Sequence, residues 1–104
     1  MYSNEAIEAC ALEIAEKFDP LQVILFGSHA NGSAHFDSDV DLLVIMPLKE
    51  KSSKTALKIR RSIDKTFPLD LLVKDPVDTE NRLSQGDPFL TKAFQEGKVL
   101  YERS

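Results

Sequence analysis

At 104 residues, with 42% hydrophobic and 29% charged residues and a formal net charge of −4, the chain has the size and composition of one globular domain around one core, spanning residues 1–104. No apolar run approaches the ~20 residues of a membrane helix. The N-terminal stretch carries Glu5 and Glu8 and lacks the basic start and apolar core of a secretory signal, so no membrane association and a cytoplasmic location are expected. The acidic balance argues against a surface that attracts nucleic acid throughout. One cysteine, Cys10, with two histidines offers neither an internal disulfide nor a zinc-type ligand set.

Along residues 5–18 the apolar side chains of Ile7, Cys10, Ala11, Ile14 and Phe18 recur at helical spacing, with Ser3 or Asn4 as N-cap and Asp19-Pro20 as the stop. Residues 21–26 form a short apolar run ending at Gly27, which reads as a buried strand. The small and turn-forming residues 27–33 and the polar segment through Ser38 make a loop with room for one helical turn. Residues 40–46 are again nearly all apolar, broken only by Asp41 and closed by Pro47: a second strand with one carboxylate inside it.

Between residues 52 and 67, Ala56, Ile59, Ile63 and Phe67 share one face of an amphipathic helix that Pro68 ends. Residues 69–73 repeat the pattern of an apolar run holding a single carboxylate, Asp70, and give a third strand near 69–74. Asp75-Pro76 and Asp87-Pro88 each place a capping Asp before a Pro at the first helical position, and Gly86 and Gly97 stand where those helices should stop. Residues 99–101 supply an edge strand or pack apolar side chains. The fold class is therefore α/β (α+β), a small mixed sheet packed against helices with the functional site at its edge.

Alternation along a strand puts Asp39 and Asp41 on the same side where the loop meets the second strand. Close carboxylates repel and call for a counter-charge, a metal ion or a shared proton. Asp70 holds the equivalent place in the next strand, so neighbouring strands would bring three carboxylates together. Three acidic side chains beside a phosphate cradle suit Mg²⁺, which takes oxygen ligands and shares them with substrate phosphates. Gly27-Ser28 is that cradle, with a sharp turn, exposed N–H groups and a hydroxyl, and Gly32 allows close approach further along.

Gly27-Ser28-x-Ala30-x-Gly32, then Ser38-Asp39-x-Asp41-Leu42, then a third Asp in a later strand, resembles the minimal nucleotidyltransferases of the DNA-polymerase-β-like superfamily. The resemblance runs over nearly the whole chain, and the compound motif is specific where either half alone is weak. It implies transfer of a nucleoside monophosphate, AMP from ATP in the first instance, to a hydroxyl with pyrophosphate leaving. Asp39 and Asp41 would ligate two Mg²⁺ ions and Asp70 would complete the second site and help activate the acceptor. Gly27, Ser28, Gly32 and Ser38 would hold the nucleotide. Many small relatives stand beside a helical HEPN-type ribonuclease, so the resemblance also suggests an antitoxin that modifies a tyrosine of such a toxin, with nucleic acid the less favoured acceptor. Relatives often carry Arg where this chain has His29, which removes a permanently charged phosphate partner.

Two rivals stand beside the enzyme. One is a weakly active or non-catalytic nucleotide-binding antitoxin acting by complex formation; the other is one subunit of a larger transferase. Asp37-x-Asp39-x-Asp41 imitates an EF-hand opening, but Leu42 and Leu48 occupy the positions that need Gly and Glu. A Walker-type loop is excluded because no Lys-Ser or Lys-Thr follows the glycines. His29 and His35 lie near the expected triphosphate, the basic residues between 49 and 65 read as a solvated helix face, and Cys10 reads as a small core residue. Phe89, Leu90, Phe94, Leu100 and Tyr101 read as core, or as an apolar face that docks a partner.

Overall fold

The computed structural model describes residues 3–34, 39–65 and 67–104. Among them the elements run α1 (Asn4–Phe18), β1 (Gln22–Phe26), α2 (Ser28–Asn31), β2 (Val40–Ile45), α3 (Ser52–Ser62), β3 (Leu69–Lys74), α4 (Pro76–Ser84), α5 (Pro88–Glu96) and β4 (Lys98–Glu102). The strands form one mixed sheet in the order β3-β2-β1-β4. β1 pairs antiparallel with β2 and with β4, while β2 and β3 run parallel. No described helix is long and apolar enough to cross a membrane.

The sheet has two unequal faces, because alternate side chains of each strand go to opposite sides. Val23, Leu25, Val40, Leu42, Val44, Leu71 and Val73 pack against Ile7, Cys10, Ala11 and Ile14 of α1 and Ile59 of α3, forming the main core. Ile24, Leu43 and Ile45 point the other way and meet Leu90 and Ala93 of α5 in a smaller cluster, joined at its margin by Leu72 and Leu83. That second cover ends at Leu43 and Leu72. Asp41 and Asp70, two residues earlier on the same face of β2 and β3, lie beyond it, half-buried and exposed respectively.

The caps follow the sequence closely. Ser3 accepts the Ala6 N–H at 3.1 Å, and Asp19 ends α1 in the left-handed conformation at φ 49°, held by Arg103 Nε at 3.2 Å from its carboxylate. Asp75 accepts the Val77 N–H at 3.0 Å, and Asp87 accepts that of Leu90 at 3.0 Å, each ahead of a proline at the first helical position.

α3 is shorter than its spacing predicts. It stops at Ser62, and Ile63 is extended at φ −108° and ψ 151°, yet Ile63 and Phe67 still reach the main core. The α3 terminus is taken over by α1: Lys17 Nζ donates to the Ser62 carbonyl, and the Asp64 N–H donates to Glu13 at 3.0 Å. Pro68 in turn disfavours helical geometry in the residue before it. Periodicity saw the right apolar residues but could not see the partner helix that ends the turn.

Gly97 sets the joint between α5 and β4. A β-carbon there would stand 2.1 Å from the Ala93 carbonyl oxygen and 2.9 Å from that of Leu25, so only a hydrogen fits where the helix end meets β1. Gly97→Ala should destabilise the fold by about 2–3 kcal/mol through overpacking, read as a lowered urea midpoint. An unchanged midpoint would mean that this joint yields freely.

Candidate active site

Strand direction assembles the site. β2 and β3 are parallel, so their first residues lie side by side; β1 is antiparallel, so its last residue and the turn after it arrive at the same end. In the register, Asp41 is opposite Asp70 on one side and Phe26 on the other. Neighbouring strands are about 4.8 Å apart, which leaves the two carboxylates close enough for the charge of one to act on the other.

Burial pushes the Asp41 carboxyl above the ordinary carboxylate range; the charges of Asp70 and then Asp39 push it further, and His29 acts in the opposite direction. Desolvation and like charge both disfavour the ionised form. This is a strained electrostatic arrangement that a cation would relieve.

Gly27 closes the other wall. It caps α2 at φ 74° and ψ −153°, a region open essentially to glycine alone. A β-carbon there would stand 2.3 Å from Asp41 Oδ2. The glycine therefore serves both the turn and the carboxylate beside it. Ala30 and Asn31 donate their N–H groups to the Gly27 carbonyl at 3.1 and 3.2 Å, forming one short turn with Ser28 and His29 at its start. Gly32 ends that turn at φ 81°, and nothing lies within 4 Å of where its β-carbon would be; within the protein itself its glycine serves the backbone angle.

Of the residues expected from sequence, the structure brings together Asp41, Asp70, Gly27 and the start of α2 with Ser28. Asp39 is exposed just ahead of β2, outside the strand ladder that holds the other two, and reaches Asp41 through charge. Ser38, like His35 and Asp37, lies outside the described residues. Among the described residues no three acidic, histidine or cysteine side chains stand close enough to enclose a metal ion by themselves. The donor set nevertheless fits a hard divalent cation, because Mg²⁺ is commonly held by one or two carboxylates with phosphate and water supplying the rest.

Two aromatic residues beside this site carry no signature of it in the sequence. Phe26, on the same face as Asp41, meets Phe89 of α5 edge to face, with ring centroids 5.4 Å apart at 88°. Phe89 is not a core residue, being 42% exposed, whereas Leu90 beside it is buried. The available signal was alternation in β1, which places Phe26 beside the loop, but nothing in the spacing links it to Phe89.

The sequence profile of the family described as Polymerase beta, Nucleotidyltransferase matches residues 8–104. The chain belongs to this family. The polymerase β-type nucleotidyltransferase fold recurs in a Sulfolobus solfataricus crystal structure described as a candidate nucleotidyltransferase. Its TM-score is 0.66 at 20% identity, over 95% of this chain and 79% of that one. A toxin–antitoxin crystallised with AMP-PNP gives 0.58 at 22% identity, over 93% and 74%. The toxin–antitoxin MntA-HpeT, in a double Asp-to-Glu mutant, gives 0.56 at 20% identity over the same shares, 93% and 74%. A search of curated proteins finds no match. At these identities the structural likeness establishes the fold, and family membership rests on the profile.

Proposed function

We propose that this chain is a metal-dependent nucleotidyltransferase that moves the nucleoside monophosphate group of a nucleoside triphosphate, ATP in the first instance, to a hydroxyl. The observation that carries the reading is the Asp41–Asp70 pair standing in register against Gly27, beyond the edge of the smaller apolar cluster among the described residues. Family membership supports it independently.

Asp41 and Asp39 would hold Mg²⁺, two ions by resemblance to the family, together with Asp70; the metal when bound would neutralise the clustered charge and polarise the phosphate being transferred. The start of α2, with Ser28, receives the triphosphate, since N–H groups at a helix start favour anions. In the reaction the acceptor oxygen forms a bond to the α-phosphorus and the bond to the β-phosphate bridging oxygen breaks, releasing pyrophosphate. Asp70, the more exposed of the paired carboxylates, would accept the proton of the hydroxyl.

The reading of the acceptor as a tyrosine on a small helical HEPN-type partner, with this chain as antitoxin, draws support from two fold neighbours that are toxin–antitoxin assemblies, one of them with AMP-PNP. The same observation favours the second reading, in which the chain neutralises its partner by binding alone.

Asp70→Asn separates the two. General-base removal costs about 10² to 10⁴ in rate, so transfer should fall by that factor while calorimetry still detects Mg²⁺-dependent triphosphate binding. Undiminished transfer would remove Asp70 from the chemistry, and wild-type protein that binds triphosphate yet transfers nothing in the presence of its partner would favour the binding antitoxin.

A further inference from the structure

We infer that the cavity between β1, α2 and α5 takes the purine base of the nucleoside triphosphate. This rests on the proposed function and adds to it the recognition of the base, which the carboxylates and the Gly27-Ser28 turn do not provide. The cavity holds about 230 Å³ and is lined by Phe26, Gly27, Asn31, Phe89, Lys92 and Glu96 among others. Gly27 is shared with the phosphate-binding turn, so the cavity continues the candidate site. The sheet order β2-β1-β4 puts it across β1 from Asp41, on the side where Gly97 leads into β4.

Its chemistry is that of a base site: mostly apolar walls with a few polar groups that fix orientation. Phe89 is a large, exposed apolar ring that the core does not use. Its position is nonetheless fixed. Asp87 caps α5 and Pro88 opens it, and Phe26 packs edge to face against the ring, so an aromatic surface is presented without the entropy cost of ordering a loose side chain. Aromatic rings of this kind stack nucleobases, and the two fused rings of a purine bury more apolar area against such a ring than one pyrimidine ring does.

Lys92 and Glu96 are one turn apart on α5 and so share a side of the helix; they supply a donor and an acceptor to a purine's ring nitrogen or carbonyl oxygen and its exocyclic amine. Asn31 is oriented by its neighbours. Its Oδ1 accepts the Ser33 N–H at 3.0 Å and the Ser33 hydroxyl at 2.6 Å, which leaves the amide nitrogen as the group with hydrogen-bonding capacity to spare on this lining residue.

The test is calorimetric titration of the whole chain with the Mg²⁺ complexes of ATP, GTP, CTP, UTP and inorganic tripolyphosphate, on wild type, Phe89→Ala and Phe89→Tyr. Wild type should bind the purine nucleotides more tightly than the pyrimidine ones. Phe89→Ala should lose about tenfold or more on purines while keeping its tripolyphosphate affinity, and Phe89→Tyr should restore the purine preference. Thermal melts establish that the exposed substitution leaves the fold intact. Unchanged purine affinity in Phe89→Ala, or a loss shared equally by tripolyphosphate, would overturn the inference while leaving the proposed function standing. Wild-type protein that binds neither tripolyphosphate nor any nucleotide would overturn both.

Discussion

Asp41→Asn should abolish Mg²⁺-dependent triphosphate binding and reduce transfer by about a thousandfold or more, the several kcal/mol that metal-assisted charge stabilisation supplies, and yet make the metal-free protein more stable. Asp41 is half-buried beside Asp70, with its pKa raised from 3.8 by burial first and by the Asp70 and Asp39 charges next. A carboxyl whose folded pKa lies above its unfolded value opposes folding once ionised. Below pH 3.8 both states carry the proton and the penalty is absent; it grows as pH rises through the raised folded value and is constant above that. The amide keeps the shape and removes the charge. Because the group is partly solvated and screened, a rise in Tm of about 2 to 4 °C at neutral pH is expected, corresponding to roughly half a kcal/mol in a domain of this size. The gain should vanish at pH below about 3.8. Thermal melts in chelator across pH check the sign; a lower Tm for Asp41→Asn at neutral pH would mean that the carboxylate supports the fold, contrary to this account.

Gly27→Ala should be the single-methyl change that damages transfer most, because it alone intrudes on the Asp41 carboxylate. The backbone at φ 74° is strained for any side chain, and the new β-carbon would stand 2.3 Å from Asp41 Oδ2. Strain of about 1–3 kcal/mol adds to displacement of the carboxylate, so both stability and transfer should fall sharply. Gly32→Ala is the matched control, with φ 81° but open space around the added carbon. It should cost about 1 kcal/mol and spare Asp41. Urea midpoints with activity for the pair separate backbone strain from intrusion on the carboxylate. Equal effects of the two substitutions would show that Gly27 does no more than permit the turn.

Much of this site is legible in the sequence. A lone Asp inside an apolar run is conspicuous because burial selects against it, and that is why Asp41 and Asp70 stand out. What the residues do not encode locally is which strands are neighbours and in what register. Only the parallel β2–β3 pairing makes Asp41 and Asp70 opposite one another, and only the antiparallel β1 brings Gly27 onto Asp41. Asp39 keeps its charge effect but lies outside the ladder, so the expected cluster of three resolves into a close pair with a third charge nearby. The early end of α3 is not legible in its own residues because its terminus is satisfied by Glu13 and Lys17 of another helix. Phe89 reads equally as core or docking surface because a phenylalanine beside a helix start has the same sequence signature whether it faces a core or a cavity.

The most direct test of the central claim is incubation of wild type and Asp41→Asn with Mg²⁺ and each α-labelled nucleoside triphosphate, in a lysate containing the proteins encoded beside it. Label should pass to an acceptor with wild type and Mg²⁺ together, and should be absent with chelator or with Asp41→Asn. Label transfer that persists with the variant, or wild-type protein that never transfers label although it binds the triphosphate, would contradict a nucleotidyltransferase built on the Asp41–Asp70 pair.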